Sequence, residues 1–205
     1  MLVVLALGAA LLAGCGGSGG GAATAAGNGR FRVAEPLPAG LAGRAAPDIG
    51  LADARGGTFD TRSLAGRPYL VTFLYANCPD VCPLIGAQLR DTLRQLGSDA
   101  QRVGVVGVSV DPRGDTPAAV RVWLRREREP AQFHYLIGSE RALAPVWRAW
   151  YAAPQIAGDP QSAHTAIVWV VDARGRLVAK VPAGVPFDTG GLAHDMRTLL
   201  PAPRA

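Results

Sequence analysis

Lysine is almost missing from this chain. Of its 21 basic residues only Lys180 is a lysine, and the arginines are scattered from Arg30 to Arg204. A nucleic-acid-binding face gathers its positive charge in one stripe with aromatics interleaved. Here aromatics make up 6% of the chain, and the densest basic run, Arg121 to Arg128, mixes in Glu127 and Glu129. That run reads as the solvated face of a helix, so no nucleic-acid partner is expected. The net charge of +5 is compatible with loose attraction to an anionic membrane surface. Cysteine is scarce as well: three in 205 residues exclude a disulfide scaffold. Beyond the N-terminus no apolar run reaches the roughly 18 residues of a spanning helix, so a polytopic membrane protein is not expected. Gly and Pro together are about a fifth of the chain, below the level of a collagen-like or wholly disordered protein. What remains is one ordinary globular domain with additions.

The first addition is an address. Met1 to Leu12 is nearly all Leu, Val and Ala and ends in Leu12-Ala13-Gly14-Cys15. Such a segment suits the apolar region of a signal peptide, although no Lys or Arg precedes it. The tetrapeptide resembles the lipobox of bacterial lipoproteins, in which the cysteine is lipidated and becomes the new N-terminus. The competing reading is a plain secretory signal with an accidental cysteine. The expectation is a signal peptide over residues 1–14, lipidation at Cys15 and a Gly/Ala-rich flexible tether over residues 15–44. A folded domain over residues 45–201 follows. This layout puts a monomeric domain on the cell membrane by its lipid, facing the periplasm or the exterior, where thiols tend to oxidise. Two further cysteines in such a place call for an explanation.

Within the domain, apolar runs alternate with amphipathic stretches. Tyr69 to Tyr75 and Val103 to Val110 are buried-strand patterns. Phe133 to Ile137 is a short strand, and Thr165 to Val171 is a long one that turns at Asp172 to Gly175 into Leu177 to Val181. Helices are expected from Leu84 to Leu96 and from Thr116-Pro117 to about Arg128. A third follows Ser139, shortened or kinked by Pro145, and a fourth spans Asp188 to Leu200. Pro47 to Ile49 with Thr58-Phe59 suggests an N-terminal hairpin. Strands separated by helices give an α/β fold, and the terminal antiparallel pair makes its central sheet mixed.

The chemistry gathers at Asn77-Cys78-Pro79-Asp80-Val81-Cys82-Pro83, between a buried strand and a helix. A helix N-terminus presents free N–H groups and a positive dipole end, which stabilise a thiolate. Thiolate sulfur is both the nucleophile of disulfide chemistry and a ligand for soft metals. On a helical turn a spacing of four puts Cβ atoms roughly 5–6 Å apart, whereas a relaxed disulfide wants about 3.8 Å. Three intervening residues therefore fit a metal clamp and leave a disulfide open. Passive packing of two small apolar residues and a static disulfide are the plainer alternatives. Zinc is a further candidate, but two cysteines and one histidine are fewer ligands than a closed structural zinc site uses.

Three histidines are candidates for a third ligand. His134, inside a strand, reads as a satisfied structural histidine. His194, beside Asp195 on the last helix, reads as a solvated face. His164 ends the long irregular stretch Ala152 to Ala163 and directly precedes a strand, where α/β sites collect.

YANCPDVCPL (75–84), VSVDPRGDTP (108–117) and SAHTAIVWVVDARGRL (162–177) resemble, in the same order, the blocks of the SCO/SenC family of thioredoxin-like copper proteins. The resemblance implies a thioredoxin-like fold and a copper site of Cys78, Cys82 and His164, holding Cu(I) or Cu(II). It further implies delivery of copper, or of electrons to thiols, during assembly of the binuclear copper centre of cytochrome c oxidase. His164 stands at what looks like the position of the cis-proline that faces the cysteines in ordinary thioredoxins. Asp111 and Asp115 match the family's middle block; Asp115 reads as an organiser of the turn before Pro117, and neither is expected as a ligand. A second class of function remains open, an extracytoplasmic thiol–disulfide oxidoreductase. In it Cys78, at the exposed end of its loop, attacks a partner disulfide and Cys82 resolves it. A peroxidase is a weaker reading, with no separate resolving arrangement.

Overall fold

The computed structural model describes residues 29–155 and 166–202. A hairpin opens the sheet, β1 (Gly50–Asp53) and β2 (Thr58–Asp60). There follow β3 (Tyr69–Leu74), α1 (Val81–Leu96), β4 (Gly104–Ser109) and α2 (Pro117–Arg126). Then come β5 (Phe133–Ile137), α3 (Glu140–Ala149), β6 (Ile167–Val171), β7 (Leu177–Pro182) and α4 (Thr189–Leu199). The seven strands run in the order β2-β1-β5-β4-β3-β6-β7. β3–β4 and β4–β5 are parallel, and the other neighbours are antiparallel. The expected mixed sheet with an N-terminal hairpin is therefore present, the hairpin's first strand being Gly50–Asp53 rather than Pro47 to Ile49.

The central strands are apolar because they are covered twice. Every residue of β3 and β4 is buried, as parallel strands under helices on both faces require. Successive residues of a strand point to opposite faces. Phe73 meets Trp150 at the end of α3, ring centroids 6.4 Å apart, and Trp150 meets Trp169 of β6. Leu74, Phe133 and Tyr135 face the other way, toward α1 and α2, where Trp123 packs edge-on to Tyr135 at 5.5 Å. α1 lies so close to α2 that a Cβ on Gly86 would sit 2.9 Å from the Trp123 ring. α4 packs beside α1 on the same face.

Several elements differ locally from the sequence expectation. α1 begins at Val81, earlier than Leu84, because Asp80 accepts the Val81 N–H at 2.6 Å and Pro83 is tolerated in a first turn. α3 continues past Pro145 to Ala149. α2 stops at Arg126, before Arg128. The expected tether also ends early. Phe31, Ala34 and Leu37 are buried against the domain, and Glu35 bridges to Lys180 of β7. The cause is Asp195 of α4, fully buried, whose carboxylate accepts the N–H groups of Arg32 (2.6 Å), Val33 and Ala34 (both 2.9 Å). The lipobox, Cys15 and the first part of the tether lie outside the described residues.

Candidate metal centre

The parallel strands β3 and β4 end on the same edge of the sheet, and in α/β sheets that edge is where ligands bind. The chain leaves β3 through buried Tyr75 and Ala76 into the cysteine loop. Cys78 donates its N–H to the Tyr75 carbonyl at 3.2 Å, closing a turn. Asp80 then caps α1, which places Cys82 in the helix's first turn, where backbone N–H groups have no helical partner. The Cys82 N–H is donated to Cys78 Sγ at 3.2 Å. The two cysteines are free thiols that meet sulfur to sulfur side by side at a helix N-terminus.

Their electrostatics are unequal. The Cys82 side chain donates to Cys78, and the N–H groups of Cys82 and Asp80 and the Tyr75 hydroxyl add to it; against the pull of burial, these lower Cys78 to about 5. Cys82, fully buried, is pushed far up by desolvation and by the neighbouring Cys78 charge. At neutral pH the pair thus carries one negative charge, on Cys78, supported by a thiol at Cys82. Neither is at an exposed loop end as the oxidoreductase reading expected: Cys78 is 4% exposed and Cys82 not at all. Burial follows from the strand-to-helix junction, since Cys82 points into the face where α1 meets the sheet.

Asp115 does more than organise a turn. It is 4% exposed. Its Oδ1 accepts the Ala76 N–H at 2.7 Å, and its Oδ2 accepts from the Ser109 hydroxyl at 2.6 Å and the Tyr135 hydroxyl at 3.1 Å. One carboxylate thereby ties the start of the cysteine loop to the end of β4 and the middle of β5. Burial pushes its pKa up to about 6, and the three donors hold it from rising further. Trp147 supports the same corner by donating its ring N–H to the Ser109 carbonyl at 2.8 Å. Ser109, Tyr135 and Trp147 carried no functional signal in the sequence. Asp111 accepts the N–H groups of Arg113 and Gly114 and shapes the following turn.

The histidines separate as follows. His134 Nδ1 lies 2.7 Å from Asp53 Oδ2, with the ring stacked on Phe59 at 3.7 Å, a satisfied structural histidine. His194 is at the surface beside Asp195, at 3.5 Å. His164 lies outside the described residues. Among the described residues no group of three or more His, Cys, Asp or Glu side chains is assembled to hold a metal; Cys78 and Cys82 stand as a pair. Nor is any helix among them long and apolar enough to cross a membrane.

The SCO1/SenC family profile matches residues 42–200. A Stutzerimonas stutzeri protein named "Putative copper-binding protein" is 28% identical over 150 residues, covering 71% of this chain and 72% of its own. The solved structure of Bradyrhizobium japonicum ScoI with copper bound is 30% identical, with a TM-score of 0.66, over 77% of this chain and all of that one. A SCO1/SenC family lipoprotein from Bacillus anthracis, 21% identical over 75% of this chain and 93% of its own, superposes with the same TM-score of 0.66. The fold is the thioredoxin-like fold of these proteins.

Proposed function

The chain belongs to the SCO1/SenC family, and from that premise we propose that it is a copper metallochaperone for the binuclear copper site of cytochrome c oxidase. The observation that carries this reading is the paired sulfur site, with Cys78 ionised near neutral pH beside Cys82. A thiolate with a second soft donor at hand is what Cu(I) requires. Both ligands are assigned to Cys78 and Cys82, and the third to His164. Support for His164 comes from its flanks. The Gln155 N–H is donated to the carbonyl of Val110, just past β4, at 2.9 Å. On the other side, the Thr72 hydroxyl of β3 donates to the Ile167 carbonyl at 3.1 Å. The segment carrying His164 thus leaves and rejoins the described chain at the cysteine edge of the sheet. His164 stands two residues before Ala166 in the chain, a reach of at most about 7 Å.

Delivery then follows from ligand chemistry. Two thiols and one imidazole give a low-coordinate site whose ligands an incoming partner displaces one at a time. Oxidation of the cysteines to a disulfide removes both sulfur donors, so a reductant outside the membrane belongs to the cycle. In keeping with the lipobox and with the lipoprotein relative, the domain is held at the membrane through Cys15, facing the periplasm or the cell exterior.

The inequality of the two thiols favours a second reading as well. A Cys78 thiolate backed by a protonated Cys82 is the arrangement of a nucleophile and its resolving thiol in a thiol–disulfide oxidoreductase. Titration of the reduced protein against a Cu(I) chelator tests the first reading: one Cu(I) per chain is expected, lost in Cys78→Ser and in Cys82→Ser. His164→Ala is expected to abolish the Cu(II) absorption band while leaving reduction of a model disulfide intact. Tight, stoichiometric copper binding by both cysteine variants would end the chaperone reading. Unaltered copper binding in His164→Ala would remove His164 from the site.

A further inference from the structure

At the far end of α1 from the cysteines, the helix and the end of α2 enclose a cleft of about 640 Å³ lined by Arg90, Arg94, Arg126, Glu127, Arg128 and Gln132, among others. We propose that this cleft is a binding site for a phosphate-class oxyanion, independent of the copper site. Arg90 and Arg94 lie two and three turns beyond Cys82, about 12 and 18 Å along the helix.

Three observations support the assignment. The first is charge. Four guanidinium groups face the cleft against the Glu127 carboxylate on its wall and Asp91 beside it. Arg94 pairs with Asp91 at 2.9 Å and Arg126 with Glu127 at 2.7 Å, while Arg90 lies 3.4 Å from Asp91 and donates to the Glu127 carbonyl. Among the described residues the Arg128 side chain has no ion pair or hydrogen bond. The second is geometry. Guanidinium groups present forked N–H donors that match phosphate oxygens, and the pairs above leave most of those donors unused. The third is the local structure that brings Arg128 there.

α2 ends in a Schellman motif. The Glu129 N–H is donated to the Leu124 carbonyl at 2.9 Å and the Arg128 N–H to the Arg125 carbonyl at 3.1 Å. The second of these donors takes left-handed backbone, φ 56° at Arg128. Glycine is the residue that fits this position without strain, and an apolar residue normally follows it. This chain breaks both preferences at once, with Arg128 in the left-handed position and Glu129 buried behind it. A helix end that departs from its own local rules marks a place where another requirement acts. Here the result is a fourth arginine, without an ion pair among the described residues, lining the same cleft as Arg90, Arg94 and Arg126. Glu129 does not cancel them at neutral pH, because burial pushes its pKa up to about 8.

The test uses the full chain. Calorimetric titration with inorganic phosphate and with pyrophosphate is one arm. Sedimentation with phosphatidylglycerol vesicles, compared with phosphatidylcholine vesicles, is the other. Arg128→Gly keeps the helix cap, and Arg94→Gln removes a guanidinium from the opposite wall. Arg141→Gln, on the exposed start of α3, removes equal charge elsewhere. Binding is expected in the parent and in Arg141→Gln, and about tenfold weaker in Arg128→Gly and in Arg94→Gln, with Cu(I) binding unchanged throughout. Binding in the calorimeter identifies a soluble phosphate; a preference for phosphatidylglycerol vesicles alone identifies a lipid headgroup. Absence of binding in both arms overturns the proposal, as does equal weakening by Arg128→Gly and Arg141→Gln. Loss of copper binding in the cysteine variants bears only on the chaperone reading, so the two fail separately.

Discussion

Two carboxyl groups are buried at the two ends of α2, one before it and one after it, and their surroundings differ. Asp115, beside the cysteine loop, is 4% exposed and receives three donors; its pKa rises to about 6. Glu129, behind the α2 cap, is 7% exposed, and neither carboxyl oxygen has a hydrogen-bond partner among the described residues; its pKa rises to about 8. Burial raises both. The donors make the difference, and they decide the role. A satisfied carboxylate fixes the geometry of three elements, whereas an unsatisfied one costs stability wherever it must ionise.

The comparison breaks most decisively at Asp115. Asp115→Ala strands the Ala76 N–H and two hydroxyls and is expected to cost about 3 kcal/mol in urea denaturation of the reduced protein. The thiolate ultraviolet titration of Cys78 should also move upward from about 5, as the loop loses its anchor. A loss below about 1 kcal/mol would show that the donors are as well served by water.

Next in size is Gly86→Ala. In a helix interior alanine ordinarily stabilises by about 0.5–1 kcal/mol relative to glycine. Here the new Cβ would lie 2.7 Å from Glu129 Oε1 and 2.9 Å from the buried Trp123 ring. Overpacking is expected to reverse the sign, for a net loss of about 2 kcal/mol, read as a lower Tm. A rise in Tm would mean that the Glu129 side chain is free to leave its position.

Glu129→Gln sharpens the contrast through pH. An acid whose folded pKa lies above its unfolded value binds more protons when folded, so stability falls as pH rises between the two. For Glu129 that window runs from 4.5 to about 8; for Asp115 it runs from 3.8 to about 6. Relative to the parent, Glu129→Gln should therefore gain stability steadily from pH 5 to pH 8, by about 1–2 kcal/mol, with much of the gain between pH 6 and 8. A constant difference across that range would place the Glu129 carboxyl in contact with water. The smallest effect is expected from Arg128→Gly, which relieves left-handed backbone and should raise stability by about 0.5 kcal/mol, measured by the same denaturation.

Much of the site was legible in the sequence because its signals are local. A strand pattern, a following helical repeat and a proline suited to a first helical turn place Cys78 and Cys82 at a helix start, and each of these acts over a few residues. The start of α1 was read three residues late because the apolar repeat that announces the helix begins only after Pro83, whereas the helix itself starts at the Asp80 cap. The end of α2 was read late because the cap carries no glycine to announce it. Asp115 was visible as a turn residue, but its donors come from residues up to 39 positions away, and no periodicity reports on them.

The sequence by itself determined the order of strands and helices, the pairing of two sulfurs at a helix N-terminus, and the family blocks that surround them. Those depend on side-chain spacing and backbone preferences within a turn or two. Tertiary structure alone decided that Asp195 clasps backbone N–H groups more than 160 positions earlier in the chain. It also decided that one carboxylate joins the cysteine loop to two strands and that arginines from two helices converge on one cleft. Such contacts arise only when the crossovers of the sheet bring distant segments together, and short-range patterns carry no record of that distance.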